Sequence, residues 1–163
     1  MAAGPLPGQT LVVLDPSLGL VIDVVCCEDG HAQERSLMTA ILAGVETNDL
    51  WIADRNFCTT GILFGMAARG GFFAIRQHAS TLRWEREGPR RPAGRCETGA
   101  LFEQDVWLED GEGGTLEVRR VTLALDAPTR EGETEVHVMT NLPPTVAAAT
   151  VLPLYRKRWR IEG

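Results

Sequence analysis

A membrane-spanning helix needs a run of about 20 apolar residues, and every apolar run in this sequence is much shorter. No basic segment precedes the apolar stretch at residues 11–14, so a secretory signal is not expected. The chain also lacks the low apolar content and extreme charge of disordered proteins, because 44% of its 163 residues are hydrophobic and its net charge is −6. We therefore expect one ordinary globular domain, cytoplasmic and without a membrane partner.

Cysteine is scarce, with four residues and no C-x-x-C pair. The adjacent residues Cys26 and Cys27 cannot bridge comfortably, which excludes a disulfide framework. A zinc site built from Cys26, Cys27 and His31 is one interpretation of this region. Reduced thiols that are at least partly buried are the favoured interpretation.

Positive charge is scarce overall, but it is concentrated in two segments. Seven arginines lie between residues 69 and 95, and a second basic group, Arg156, Lys157, Arg158 and Arg160, lies close to residue 163. Basic segments on an acidic chain predict either a local anion-binding surface or solvated charged faces. Charge alone favours the solvated faces.

The first half of the sequence has the pattern of an α/β protein. Short apolar or β-branched runs predict strands, and apolar residues spaced three or four apart predict helices. Because the strand runs at 50–53 and 72–76 are unbroken by polar residues, we expect both strands to be buried on both faces of a parallel or mixed sheet. The predicted order is a hairpin (11–14 and 20–25), a helix (31–44), a strand (50–53), a helix (59–68) and a strand (72–76).

The second half predicts a β-rich insertion and a return to helix. Residues 78–99 are rich in arginine, and we expect them to be an irregular excursion. Three strand-like runs follow at 101–108, 116–125 and 135–140, with an Asp-Gly-rich turn at 110–114, and they predict an antiparallel meander. A helix is predicted over 146–162. The expected division is a first core part (1–77), a β-rich insertion (78–142) and a final core part (143–163).

Asp54 is the first candidate functional residue. It directly follows the predicted strand 50–53, and the carboxyl ends of strands are where α/β sheets open into a ligand-binding crevice. An aspartate at such a position is also a common helix N-cap or turn residue. Position alone leaves both interpretations open.

The second candidate lies in the terminal helix. At 100° per residue, Tyr155, Arg158 and Glu162 fall within about 60° of one another on one helix face. This pattern fits either a functional stripe or an ordinary Arg158–Glu162 pair one turn apart, and periodicity does not separate the two.

The motif Y-x2-R-x3-E, placed after a D-R-N-F segment at a strand end, resembles the DDE transposases of the insertion-sequence-four family. The resemblance covers roughly residues 10–163 and includes the Gly-Gly-Phe-Phe-Ala-Ile-Arg segment at 70–76 and the β-rich block at 100–140. It implies an α/β fold: a ribonuclease-H-like mixed sheet with helices, interrupted by a mostly antiparallel β insertion. It further implies metal-dependent cleavage and transfer of DNA strands at the ends of an insertion sequence.

Residue by residue, the resemblance implies that Asp54 and Glu162 are catalytic residues and metal ligands. The complete enzyme would hold two Mg²⁺ (or Mn²⁺) ions, whose preference for hard oxygen ligands explains the carboxylates. Tyr155 and Arg158 match signature residues that act near the transposon-end DNA, and we expect Arg55 and Arg156 to bind DNA as well. The implied partners are double-stranded DNA at transposon ends and a second copy of the protein bound to that DNA. The implied location is the cytoplasm, in association with the nucleoid when the protein is bound to DNA.

Two departures from the family pattern qualify this expectation. The first catalytic aspartate of the family precedes a hairpin like 11–25, and Asp15, in the hairpin turn, is a poor substitute for it. The family signature also continues with a lysine beyond the glutamate. We therefore expect part of a catalytic domain, from a truncated gene or a shortened protein, that is inactive by itself. The alternative is a non-catalytic α/β domain that binds a protein or small ligand, with its last helix packed through Tyr155 and Trp159.

Overall fold

A computed structural model describes residues 9–15, 20–27, 37–78 and 82–157. The chain forms two compact units, Met1–Gly44 and Val45–Gly163. The strands are β1 (Gln9–Asp15), β2 (Leu20–Cys27), β3 (Leu50–Ala53), β4 (Phe72–Arg76), β5 (Trp84–Glu87), β6 (Arg91–Cys96), β7 (Gly99–Glu109), β8 (Thr115–Leu125) and β9 (Glu135–Thr140). The α-helices are α1 (Met38–Ala43), α2 (Thr60–Ala68) and α3 (Ala148–Lys157).

The first unit contains the predicted hairpin, which the structure confirms. β1 and β2 pair antiparallel, from Gln9 opposite Cys27 to Asp15 opposite Leu20. Several of its apolar side chains are about half exposed, namely those of Val12, Leu20, Val21, Ile22 and Val24. Helix α1 ends at Gly44, as predicted, but the predicted start of this helix and His31 lie outside the described residues.

The second unit is built on a mixed sheet, as predicted, and this sheet has seven strands. The strand order is β3-β4-β9-β8-β7-β5, and β6 also pairs with β7. β3 and β4 are parallel, whereas every other pair is antiparallel. Because β9 pairs directly with β4, the later strands extend the same sheet. The predicted domain boundaries at 78 and 142 fall in connections beside this sheet and stay a prediction.

Two helices cover the sheet of the second unit. On one face, Val151, Leu152 and Tyr155 of α3 pack in a buried cluster with Ala74 of β4 and with residues of the longer strands. Phe73 and Ile75 alternate to the other face, where they are also fully buried. Helix α2 contacts β4 and contributes the buried residues Ile62, Leu63 and Met66. The second unit therefore has a helix–sheet–helix layering.

Local capping explains where α2 begins. Thr59 has an extended backbone, and its Oγ1 accepts a hydrogen bond from the Ile62 N–H at 3.4 Å. Past the end of α2, Gly70 adopts a φ of +73°, which glycine tolerates without a steric penalty. The Gly70 carbonyl then accepts the Asn48 N–H at 2.8 Å. The predicted helix over 59–68 is confirmed.

The expectation that β3 is buried on both faces is wrong. Leu50 is 38% exposed, and the other residues of β3 are half-buried. The physical reason is its place at the end of the strand order, where one neighbour is missing among the described strands. β4, which lies between β3 and β9, has the buried interior that was predicted.

The expectation of an irregular excursion over 78–99 is also wrong, because β5 and β6 lie in this segment and both pair with β7. Arginine side chains take the place of aliphatic residues here. The Arg86 guanidinium lies 3.8 Å from the Trp107 ring centroid, and that of Arg90 lies 4.1 Å from the Phe102 centroid. The alkyl stems and planar groups of arginine can cover apolar rings, so a strand face forms without aliphatic side chains.

The predicted turn at 110–114 joins β7 and β8. The Oδ1 atom of Asp110 accepts hydrogen bonds from the N–H groups of Glu112 and Gly114, each at 2.8 Å. Gly111 and Gly113 have positive φ angles of 83° and 92°. The strands predicted at 101–108, 116–125 and 135–140 are all confirmed, as β7, β8 and β9.

Asn141, directly after β9, joins the two parts of the sheet. Its Oδ1 accepts the Phe73 N–H at 2.8 Å, and its Nδ2 donates to the Gly71 carbonyl at 2.9 Å. The side-chain amide thus continues the backbone pairing of β9 with the start of β4.

Candidate active site

Asp54 lies where β3 ends. Its backbone is still extended, and its Oδ1 accepts the Arg55 N–H at 2.7 Å, so it caps the single 3₁₀ turn Arg55–Phe57. The turn is anchored because Phe57, its last residue, and Cys58, the next residue, are both buried. The half-buried carboxylate of Asp54 is therefore held at a defined place. The N-cap interpretation and the site interpretation are both compatible with this geometry.

The register of the parallel pair places Asp54 beside the end of β4. Ala53 lies opposite Ile75, so Asp54 follows at the level of Arg76. The Arg76 Nη2 binds both carboxylate oxygens of Glu133, at 2.6 and 2.5 Å. Sequence reasoning missed Arg76 as a residue of this edge, although the signal used for Asp54, a charged residue at the end of an apolar strand, applies to it equally.

Helix α3 runs toward the same edge of the sheet. Just before its start, the Val146 carbonyl accepts a hydrogen bond from Arg119 in β8. Near its end, Arg156 lies close enough to Cys96, the last residue of β6, for its charge to act on that thiol. Given the strand directions, β6 and β8 end at the edge where β3 and β4 also end. The helix that precedes Glu162 is therefore directed at the edge that carries Asp54.

The end of α3 brings a positive charge, that of Arg156, to the same edge of the sheet. Burial acts to raise the pKa of the Cys96 thiol, but hydrogen bonds from Thr98 and Gly99, together with the positive charge of Arg156, lower it overall. Arg156 itself is exposed. A cationic side chain therefore lies at the carboxyl edge of the sheet.

The predicted site residues have different outcomes. Arg55 and Arg156 are exposed, as a contact with DNA requires. Tyr155 is only 2% exposed and packs in the core. Glu162 and Arg158 lie outside the described residues, so the meeting of Asp54 with Glu162 stays a prediction. Within residues 9–15, 20–27, 37–78 and 82–157, no three histidine, cysteine, aspartate or glutamate side chains form a group that could hold a metal ion.

The arginines between residues 69 and 95 mostly face carboxylates. Besides Arg76, three of them form ion pairs across the sheet at 2.5–2.8 Å, namely Arg90 with Glu135, Arg91 with Asp105, and Arg95 with Asp126. The guanidinium of Arg120 lies 5.4 Å from the centroid of the Trp84 ring. Much of the positive charge of this segment is therefore balanced by nearby acids.

Two other chemically reactive side chains in the described residues are Cys58, which is buried, and His137, which is partly buried. Burial raises the pKa of the Cys58 thiol to about 11, against a smaller opposite effect of the His78 backbone N–H. Such a thiol stays protonated at neutral pH and is a poor nucleophile. His137 is hydrogen bonded through Nδ1 to Thr122 Oγ1 at 2.8 Å. Cys26 and Cys27 lie in β2, and their side chains are outside the description.

Comparisons with known proteins complete this picture. No curated protein matches the chain. Among the helices of the described residues, none combines the length and apolarity needed to cross a membrane. The family of the transposase DDE domain matches residues 9–163, and the mixed sheet with helices agrees with the ribonuclease-H-like fold of such domains. The chain therefore belongs to the transposase DDE domain family.

Proposed function

We propose that this chain is part of the catalytic domain of a transposase of the insertion-sequence-four type, acting in metal-dependent cleavage and transfer of DNA strands at the ends of an insertion sequence. The observation that carries this proposal is the position of Asp54. It lies at the carboxyl end of β3, and α3, which leads to Glu162 in sequence, runs toward the same edge of the sheet. We propose that the two acids, distant in sequence, meet at this edge.

Asp54 and Glu162 are the residues that we propose to hold the metal. Their carboxylates fit Mg²⁺ or Mn²⁺, because these ions prefer hard oxygen donors. When bound, a pair of such ions stabilises the attacking and leaving oxygens of a phosphodiester displacement. The protein contributes the rigidity of the site: Asp54 is fixed by its bond to the Arg55 N–H and by the buried residues Phe57 and Cys58.

We propose that exposed arginines bind the DNA backbone around these acids. Arg55 directly follows Asp54, and Arg156 lies at the end of α3, so both guanidinium groups can pair with phosphate oxygens. Arg158 is assigned the same role through the family signature. Tyr155 is assigned to the vicinity of the DNA by that signature too, and because its ring is buried, we propose that it acts mainly by fixing α3. A homodimer on DNA is the proposed assembly.

We further propose that the chain does not cleave DNA by itself. Of the family's catalytic acids, the second aspartate and the glutamate are matched by Asp54 and Glu162, whereas Asp15, at the end of β1 in the hairpin, is a poor substitute for the first aspartate. Robust Mg²⁺-dependent cleavage by the chain alone would show that another residue completes the site.

The test is to map the metal with Fe²⁺, which with ascorbate and hydrogen peroxide cuts a protein backbone beside the ion. We expect cuts near residues 54 and 162 that excess Mg²⁺ suppresses, and we expect Asp54→Asn and Glu162→Gln each to weaken both cuts. Asp49→Asn is the matched control, because Asp49 directly precedes β3 and so lies at the opposite end of the same strand. Cuts that persist in both site variants, or that depend on Asp49, would refute the assignment.

One observation favours the alternative, a non-catalytic domain that binds a protein or small ligand. Arg90, just before β6, and Arg91 and Arg95 in β6 are paired with the carboxylates of Glu135, Asp105 and Asp126, which reduces their attraction for DNA. Binding to double-stranded DNA measured at increasing salt separates the two functions. A steep loss of affinity with salt indicates phosphate contacts and supports the transposase, whereas absence of DNA binding supports the alternative.

A further inference from the structure

We propose that Arg120 of β8 binds a phosphate group of the DNA backbone, on the face of the sheet opposite α3. The inference rests on the proposed function, because the phosphate belongs to the DNA on which the proposed transposase acts. It depends on residues of β5, β7 and β8. None of the signature residues Tyr155, Arg158 and Glu162 takes part in it.

The Arg120 guanidinium is held in one orientation by Gln104 of β7. Gln104 is nearly fully buried, with 4% of its surface exposed. Its Oε1 accepts hydrogen bonds from Nε and Nη2 of Arg120, at 3.0 and 2.5 Å, and its Nε2 donates to the Gly88 carbonyl at 3.2 Å. An amide turned the other way would set donor against donor and acceptor against acceptor. The orientation of the guanidinium is therefore fixed before any ligand binds.

Most of the donors of Arg120 are left over. A guanidinium has five N–H donors, and Gln104 occupies two of them, on the edge formed by Nε and Nη2. Within residues 9–15, 20–27, 37–78 and 82–157, Arg120 forms no ion pair and its Nη1 makes no hydrogen bond. The second edge, formed by Nη1 and Nη2, therefore retains the paired donors that match two oxygens of a phosphate.

A half-buried arginine without a carboxylate partner is unfavourable for the fold. Burial lowers the pKa of Arg120, and so does the charge of Arg90, whereas Glu87 and Glu135 act in the opposite direction from a distance. Glu135 is itself paired with Arg90. The Trp84 ring, 5.4 Å from the guanidinium, offsets part of the lost hydration. A bound phosphate would supply the missing negative charge.

A ligand has access to Arg120 from one face of the sheet. Val121 and Leu123 of β8 pack in the cluster with α3, and side chains alternate along a strand, so Arg120 is directed to the other face. The residue is half-buried, and its Nη1 is not among the fully enclosed polar atoms that lack a partner. Solvent therefore reaches the donor edge that the phosphate would occupy.

The strand register relates Arg120 to Asp54. Arg120 lies opposite Met139 of β9, Met139 opposite Ile75 of β4, and Ile75 opposite Ala53, which precedes Asp54. Three strand spacings of about 4.8 Å separate the two positions by about 14 Å. At 3.4 Å per base pair, this distance corresponds to about four base pairs of duplex DNA. One duplex at the Asp54 edge is therefore long enough to place a phosphate at Arg120 as well.

The experiment measures the binding of a fluorescently labelled DNA duplex to the whole chain by anisotropy, at increasing sodium chloride concentration. It compares the wild type with Arg120→Gln, Arg120→Lys, Gln104→Glu and Arg91→Gln. The last variant is the matched control, because Arg91 is already paired with Asp105 at 2.8 Å, and Asp105 alternates with Gln104 toward the opposite face of the sheet. Urea unfolding of each variant verifies that the fold is retained.

We expect Arg120→Gln to reduce the slope of log affinity against log salt concentration by about 0.9, the value for one phosphate contact. Its affinity should therefore fall most at low salt. Arg120→Lys keeps the positive charge and should keep the slope. Gln104→Glu retains Arg120 but sets a carboxylate against it, so the slope should fall as in Arg120→Gln. Arg91→Gln should keep the slope of the wild type.

Three results would overturn the inference and leave the proposed function in place. If the wild type binds DNA with a steep salt dependence and Arg120→Gln has the same slope, Arg120 makes no phosphate contact. An equal loss of slope in Arg91→Gln would show that removing any cation of the sheet has this effect. An equal loss in Arg120→Lys would show that the role of Arg120 is structural.

Inorganic phosphate is the second probe, and it separates a free anion from DNA. If it raises the urea midpoint of the wild type but not of Arg120→Gln, while both bind DNA alike, the site takes a free anion and the assignment to DNA is wrong. If the wild type does not bind DNA even at low salt, the proposed function fails, and the inference fails with it.

Discussion

The two ends of the seven-stranded sheet, one at β3 and β4 and the other at β5 and β6, are stabilised by different forces. On the side that carries Asp54, β4 and α2 bury Phe73, Ile75 and Ile62 completely. On the other side, Arg86 of β5 and Arg90, which lies between β5 and β6, stack on half-buried rings of β7. Arg90 and Arg91 also pair with partly exposed acids. Burial of apolar side chains contributes far more to the free energy of folding than exposed ion pairs do. The comparison shows that the strands that position Asp54 depend on apolar packing, whereas the arginine-rich strands depend on surface electrostatics.

The largest expected effect is therefore on the Asp54 side. We expect Phe73→Ala to lower the free energy of unfolding by about 3–5 kcal/mol, because it leaves a cavity among fully buried side chains. Urea unfolding followed by circular dichroism measures this. Phe102→Ala in β7 is the matched control, since that ring is half-buried, and we expect a clearly smaller loss. Equal losses at the two positions would contradict the comparison.

The next largest loss of stability is expected from a change at Gly99, the first residue of β7, which faces the end of β8. A Cβ at Gly99 would overlap the carbonyl oxygen of Ala124, which belongs to the facing backbone of β8. We expect Gly99→Ala to cost about 3 kcal/mol, because backbone cannot yield as a flexible side chain does. Gly113→Ala meets open space but keeps a φ of +92°, and it should cost about 1 kcal/mol in the same unfolding assay. The reverse order would show that this strand pairing yields more easily than the turn.

A pH-dependent effect is expected at His137. Burial, with the positive charges of Arg120, Arg90 and Arg76, lowers its pKa below 6.5 despite the opposing charge of Glu135. The unfolded chain then binds the proton more readily than the folded one. Stability from this group is complete above pH 6.5 and is lost as the pH falls from there through the lowered pKa.

Unfolding in urea at pH 7.5 and 5.5 measures that loss. We expect His137→Gln to reduce the difference in stability between the two pH values, because glutamine does not titrate. His31 and His78 are present in both proteins and cancel in the comparison. An unchanged difference would mean that another group dominates this pH range.

The smallest effect is expected among the arginines. Arg90→Ala removes a stack on Phe102 and an ion pair with Glu135, both partly exposed, and should cost about 1 kcal/mol or less. Because salt screens exposed charges, we expect this cost to shrink in high salt, whereas that of Phe73→Ala should persist. Urea unfolding with and without added sodium chloride checks both. A salt-independent cost for Arg90→Ala would show that its stacking, not its charge, stabilises the strand.

The same contrast explains what the sequence could predict. Apolar runs and spacings identified β3, α2 and β4, because burial by covering helices produces those patterns. The turn at 110–114 was recognisable because its aspartate and glycines have local roles. β5 and β6 were missed because their arginines cover rings such as that of Trp107 only once the sheet has formed, and those partners are distant in sequence. The exposure of Leu50 was missed because edge position depends on strand order.

In the candidate site, too, features that depend on local sequence were predictable and long-range contacts were not. Asp54 was identified because a residue at the end of a strand is visible locally. The place of Arg119 was not, because its partners Glu103, Pro143 and Val146 are 16 to 27 residues away and no motif joins them. Arg76 depends on Glu133 in the same way. Long-range polar pairs are set by the folded sheet, and a single sequence carries little sign of them.

Asn141 has a consequence for how this architecture tolerates change. By binding both Gly71 and Phe73, it locks the alignment of β4 with β9, and a slip of one residue would turn Phe73 and Ile75 toward the wrong helix. The chain between these strands can therefore lengthen, shorten or change its loops while the end of β3 keeps its place. We expect related proteins to differ most in this intervening segment and least around the amide that closes it.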